Sequence, residues 1–183
     1  MSSRRVNTVI LCEDVQQEVF FRRLLRSMGT VTHTIRVSRN PAGKGCGEQY
    51  FRNEYPNEVA EFRRRSNHRG GCLITVIDAD TNEVSFRYVQ LDRELIDHHL
   101  TTRISDESIA IFVPRRNIMS WIKYLIDLNP IDETVPYQEY KGHESDCHPQ
   151  ADRMNDMFRQ QAHSSDYPPS FKQGISEIER IPH

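Results

Sequence analysis

Apolar positions along the chain fall into short unbroken runs separated by longer stretches of helical periodicity. Residues 7–12 and 108–113 are compact runs, and the same character carries Leu73-Ile74-Thr75-Val76-Ile77 into Asp78-Ala79-Asp80. Rich in β-branched residues and without alternation, these runs predict strands buried on both faces, as in a parallel sheet covered by helices. Residues 32–38 alternate, which predicts a more exposed strand near a sheet edge. Four stretches follow these strands with apolar residues at helical spacing. In 15–28 they are Phe20, Phe21, Leu24, Leu25 and Met28, with Gly29 as the stop. In 48–65 Tyr50, Phe51, Tyr55, Val59 and Phe62 share a face, with an interruption or kink expected at Pro56. In 82–100 the stripe is Val84, Tyr88, Leu91, Leu95 and Ile96; in 117–128 it is Ile118, Trp121, Ile122 and Leu125. Strand then helix, four times over, predicts an α/β fold in which a parallel four-stranded sheet is flanked by helices and ligands gather at the carboxyl ends of the strands. Residues 130–183 are more polar, with weak helical stretches at 151–161 and 170–181. They predict a mainly helical C-terminal extension to a domain at 1–129, packing on that domain or on a partner.

Composition narrows this picture. A chain of 183 residues with 37% hydrophobic content buries one sizeable core. A net charge of -2 gives no global pull on polyanions, so contact with nucleic acid has to come from local basic patches. No apolar stretch approaches the ~18 residues of a membrane span, and the opening Met-Ser-Ser-Arg-Arg lacks a signal-peptide core. A cytoplasmic protein with no membrane partner is the expectation. The cysteines at 12, 46, 72 and 147 form no Cys-x-x-Cys pair, which argues for reduced, structural thiols.

Candidate chemistry gathers at the ends of the apolar runs. Asp78 and Asp80 stand two apart, so in extended backbone both carboxylates face one side and offer oxygens to one hard cation. The competing reading is that Asp80, with Thr81 and Asn82, caps the next helix. Glu13 and Asp14 end the first run, and Arg115 and Arg116 follow Pro114 after the fourth. The loop Pro41-Ala42-Gly43-Lys44-Gly45-Cys46-Gly47 precedes a helix. It is either a phosphate cradle around Lys44 or an ordinary loop, and it lacks the Walker spacing. Arg63, Arg64 and Arg65, with His68 and Arg69, form the densest basic cluster. His98 and His99 diverge by roughly 100° on a helix and fit its end better than a metal. His143, Cys147 and His148 match no zinc spacing.

An acid ending the first strand, a strand-helix repeat and Asp-x-Asp ending the third strand together resemble the Toprim domain of topoisomerases, bacterial primases and overcoming-lysogenization-defect nucleases. The resemblance covers roughly residues 7–128. It implies a Toprim-like Rossmannoid sheet, Glu13 as the catalytic glutamate, and Asp78 with Asp80 as magnesium ligands. Pro114 to Trp121 looks most like the compact Toprim-like proteins of bacterial defence loci, which often work with an ATPase encoded alongside. The chain departs from the pattern at three places. Asp14 stands where the family has glycine, which changes the turn or adds a ligand. Gln17 stands where nucleases often carry another acid, and Glu18 beside it points elsewhere on a helix. Met119 occupies a position that related proteins give to an acid. Fewer carboxylates weaken a second metal more than a first, so one-metal chemistry and a degenerate site both remain open.

What this implies is phosphodiester cleavage of DNA or RNA dependent on Mg2+ or Mn2+, with Glu13, Asp78 and Asp80 at the metal. Lys44, Arg63, Arg64, Arg115 and Arg116 would meet phosphate and nucleic acid, and Asp14 and Gln17 are secondary candidates. The alternative is a non-catalytic Toprim scaffold that binds nucleic acid or an ATPase, with self-association open in either case. There is no room for the tyrosine domain of a topoisomerase, and no zinc module of a primase.

Overall fold

A computed structural model describes residues 7–41, 47–66, 71–138, 140–161 and 166–182. Four strands, β1 (Thr8–Cys12), β2 (Ile35–Arg39), β3 (Cys72–Val76) and β4 (Ile109–Phe112), form one sheet in the order β2-β1-β3-β4. Every pairing is parallel, with Cys12 level with Val76 and Val76 level with Phe112. Helices α1 (Val15–Ser27), α2 (Gly47–Ser66), α3 (Val84–Asp97) and α4 (Ile118–Asp127) follow the strands in turn, and α5 (His148–Arg159) and α6 (Pro169–Glu177) complete the chain. This is a Rossmann-like α/β architecture. Among the described residues no helix is long and apolar enough to cross a membrane.

Strict alternation within the strands divides the interior in two. Ile10, Cys12, Ile74, Val76 and Phe112 face a core shared with α1, α4, α5 and α6. Val9, Leu11, Leu73, Ile109 and Ile111 face the other, closed by Phe51, Tyr55 and Val59 of α2 and Leu91 and Leu95 of α3. Both faces of β1 and β3 are therefore dry, which is why those runs lack polar alternation.

Three expectations shift. The strand expected at 32–38 begins only at Ile35, because Thr32–Thr34 forms a 3-10 turn in which the Thr34 amide and hydroxyl both donate to Val31 O. Helix α2 runs through Pro56 without the interruption expected there. Ile96, placed on the inner stripe of its helix, is 59% exposed.

The C-terminal extension belongs to the first core. Arg23 of α1 donates to Asp152 of α5 through Nε at 2.7 Å. Phe171 of α6 meets Trp121 and Tyr124 of α4 with ring centroids 5.8 and 5.1 Å apart. Glu177 of the extension, with Arg103 and Tyr88, also closes the open edge of the sheet at β4. Ile111 N donates to Glu177 Oε2 at 2.9 Å, Ile109 O accepts from Arg103 Nη1 at 2.9 Å, and Ile111 O accepts from the Tyr88 hydroxyl at 2.9 Å. Side chains thus take the hydrogen-bonding groups that would otherwise recruit a foreign strand.

Gly174 lies under the Trp121 ring, where an added Cβ would sit 2.4 Å from its Cη2. Ala is the better helix former, yet here overpacking outweighs propensity. Gly174→Ala is expected to cost about 1–3 kcal/mol in a denaturant titration. The exposed neighbour Gln173→Ala serves as the near-neutral control, and equal stability of the two variants would refute the contact.

Candidate functional site

Since Cys12 and Val76 are level, the chain leaves β1 and β3 side by side, and the acids that follow meet at the carboxyl edge. Glu13 Oε2 accepts a hydrogen bond from the Asp78 amide at 2.9 Å. The Glu13 amide donates to Gln17 Oε1 at 2.8 Å, and Asp14 Oδ1 accepts from the Gln17 amide at 2.8 Å as the N-cap of α1. Asp14 is thereby a capping residue. Gln17 is fully buried, and its amide nitrogen lies near enough to the Asp78 carboxylate to favour ionisation there, although no aligned hydrogen bond forms. A neutral amide thus stands where a third acid would add another negative charge.

Asp78 and Asp80 do not share an extended backbone. β3 ends at Val76, the Ala79 amide donates to Pro114 O at 2.8 Å, and the Asn82 amide turns back to Ala79 O at 2.9 Å. Asp80 is left with φ 54°, in the left-handed region that aspartate tolerates. The geometric premise of two parallel carboxylates is corrected on this point. Asp80 instead turns to Arg87, at 3.4 Å, and does not cap α3, whose N-cap is Glu83.

Arg87 is the group that inspection of the sequence passed over. It is 1% exposed, and its guanidinium donates to Asp78 O at 2.9 Å, Glu48 Oε1 at 2.9 Å and Gln90 Oε1 at 2.8 Å, besides pairing with Asp80. The signal was present: Arg87 stands four residues before Leu91, on the inward stripe of α3, where a charge has no place unless it has partners.

Electrostatically the edge is strained towards protonation. Burial, together with the charge of Asp80, raises Glu13 from the ordinary glutamate value of 4.5 to about 7, against the lowering effect of the Asp78 amide and Arg87. Burial raises Asp78 well above the usual aspartate range, and Glu13, Asp14 and Asp80 add to it. Asp78 Oδ1 is buried with no hydrogen-bond partner among the described residues. Hard oxygen donors under like-charge repulsion, one of them unsatisfied, fit a small divalent cation. Among the described residues no three His, Cys, Asp or Glu side chains already converge on a metal position. That is compatible with Mg2+, which usually takes one or two carboxylates and keeps several waters.

The remaining candidates divide by position. Arg115 follows β4 at the same edge, with its amide donating to Ser170 Oγ at 3.2 Å and its guanidinium paired with Glu83 at 2.7 Å. Arg116, beside it, is partly exposed. Arg63 is at the far end of α2, spent on Glu107 at 2.6 and 3.0 Å and on Thr101 O at 2.8 Å; Arg64 beside it pairs with Glu61 at 2.7 Å. Because α2 runs from the carboxyl edge back to the start of β3, these arginines are not brought to the acids. Lys44 and the loop around it, with His68 and Arg69, lie outside the described residues. Met119 is buried in the core, so an acid there would be desolvated. Cys147 is a buried free thiol, pushed up to about 12 by burial.

Because the folded state holds the Glu13 proton more tightly than the unfolded chain does, the stability that Glu13 contributes is present below about pH 4.5 and is lost as pH rises to about 7. The raised Asp78 adds in the same direction. Glu48 and Glu107, whose values are lowered, act below this window and do not mask it. Asp78→Asn is expected to flatten the fall and to raise the thermal midpoint above pH 7 relative to the parent protein. A midpoint that rises with pH across this window, or an unchanged slope in Asp78→Asn, would contradict the charge cluster.

No protein-family model, curated protein or solved structure matches this chain, so the geometry of the carboxyl edge carries the functional reading.

Proposed function

We propose that this chain is a Toprim-type phosphodiesterase that cleaves nucleic acid with Mg2+ or Mn2+. The observation that carries the reading is the Glu13 carboxylate held on the Asp78 amide at 2.9 Å, which joins the acidic ends of the two central strands. Asp78 and Asp80 would hold the cation, with Glu13 beside them. Such an ion neutralises charge on a phosphodiester and makes water a better nucleophile.

The protein's own groups do the rest. Glu13, titrating near 7, is suited to exchange a proton with the attacking water or the leaving oxygen at neutral pH. Gln17 fixes the Glu13 backbone, and Arg87 anchors the Asp78 carbonyl and the Asp80 carboxylate, limiting their movement as charge develops. Arg115 contributes positive charge for a phosphate at the same edge. The resemblance borne by Glu13, Asp78, Asp80 and the segment from Pro114 to Trp121 extends the proposal to an effector in bacterial antiviral defence, cytoplasmic and working with an ATPase subunit.

A second reading, a scaffold that binds nucleic acid or an ATPase without cleaving, is favoured by one observation. Glu13 Oε2 and the Asp80 carboxylate already have protein partners, and among the described residues no ready three-acid cluster exists. Glu13→Gln separates the two readings. It keeps an acceptor for the Asp78 amide but removes proton transfer, so cleavage of a labelled oligonucleotide in Mg2+ should fall about 10²–10⁴-fold while its affinity changes little. Undiminished cleavage by Glu13→Gln would sink the mechanism. Absence of cleavage by the parent protein together with its ATPase would leave the scaffold.

A further inference from the structure

Beside the acids, a cleft of about 400 Å³ opens between the start of α3 and the C-terminal extension, bordered by Glu83, Ser85, Arg115, Glu133, Thr134 and Ser170. It adjoins the candidate site through one hydrogen bond. The Ala79 amide donates to Pro114 O at 2.8 Å, so Asp78 and Asp80 flank one end of that bond and Arg115 the other. We propose that this cleft is a subsite for a second phosphodiester of a bound nucleic-acid strand, whose phosphate displaces Glu83 from Arg115. The proposal rests on the nuclease or nucleic-acid-binding reading of the neighbouring acids.

Formal charge on the lining is negative, yet its acids are unequally committed. Glu133 is buried and accepts from the Ser170 amide at 3.1 Å and from the Ser170 hydroxyl. The Ser170 hydroxyl in turn accepts from Trp121 Nε1 at 2.7 Å and from the Arg115 amide at 3.2 Å, so this cluster is structural. Asp132 is taken by the Thr134 amide and hydroxyl at 2.9 and 2.6 Å. Among the described residues only Glu83 addresses the guanidinium, at 2.7 Å, with a side chain 74% exposed. An ion pair so open to water is weak and exchangeable.

The donors are under-used. Arg115 Nη1 is buried without a hydrogen-bond partner among the described residues. Glu83 is the N-cap of the 14-residue helix α3 yet makes no side-chain cap bond, and the first turn of α3 holds no acid. The Phe86 amide is taken by Glu83 O at 3.1 Å, which leaves the amides before it without partners inside the helix. Glu83 therefore serves Arg115 at the expense of the helix end. A phosphate, with more acceptor oxygens than a carboxylate, can take the guanidinium and leave Glu83 able to swing back over those amides. The extension would take part in this subsite, since Ser170 Oγ accepts from the Arg115 amide and positions its backbone.

The test is fluorescence anisotropy with a short single-stranded oligonucleotide in EDTA, where no cleavage intervenes. Glu83→Gln should bind about two- to fivefold tighter, the worth of an exposed ion pair no longer competed for. Arg115→Gln should bind about tenfold or more weaker, and the gain from Glu83→Gln should vanish when both changes are combined. Equal affinity of Glu83→Gln and the parent would overturn the proposal. So would a gain that persists without Arg115, which would be a general charge effect, or a gain seen for inorganic phosphate but not for the oligonucleotide. Failure of the cleavage reaction leaves these affinities unchanged, so the two readings fail separately.

Discussion

A guanidinium removed from water must have its charge answered, and in this protein the answer holds the carboxyl edge of the sheet together. Arg87, 1% exposed, reaches the Asp78 carbonyl, the Glu48 and Gln90 side chains and the Asp80 carboxylate. These partners come from the loop after β3, the start of α2 and α3 itself. Removing one member leaves a buried charge unpaired, a cost of about 3–5 kcal/mol when burial is complete; Glu48 and Asp80 are partly in solvent, which reduces their share. The orientation of α2 and α3 on their face of the sheet and the irregular path of Asp80 are linked through this one side chain.

Around that anchor the edge carries a local imbalance. Glu13 and Asp78 are held together by a backbone hydrogen bond while burial and mutual charge favour their protonated forms. A fold selected only for stability would separate them or supply a closer cation. Arg87 lowers Glu13 but stays bound mainly to other groups, and the amide of Gln17 eases Asp78 without neutralising it. Strain of this kind concentrates where sites bind charged ligands, and it gives a cation a differential affinity for the ionised state.

The alternation of runs and helical stripes made the four strands and four helices legible, because β1 and β3 are dry on both faces and leave no polar positions to blur the period. Acids at the ends of those strands were legible for the same reason, as each apolar run breaks at a carboxylate, Glu13 after Cys12 and Asp78 after Ile77. What sequence could not convey depended on tertiary partners. The Ala79 amide still continues the β3–β4 ladder on Pro114 O, and Asp80 leaves the extended path only because the chain then turns, with the Asn82 amide returning to Ala79 O. Arg63 looked available and is committed to Glu107 and Thr101, while Arg87 is buried with partners that only the fold brings to it. The extension read as polar because its buried residues, among them Cys147, Ala151, Met154, Tyr167, Phe171 and Ile175, are scattered between polar ones, and Glu177 completes its contact on the β4 edge.

On the proposed function, the acid cluster binds a divalent cation in its ionised form. Calorimetric titration with Mg2+ near pH 7, in buffers of different protonation enthalpy, measures the protons released for each ion bound. With Glu13 titrating at about 7 and Asp78 raised well above the aspartate range, binding should expel protons, and Glu13→Gln should release fewer. Absence of Mg2+ binding by the parent protein, or binding without proton release, would contradict the account.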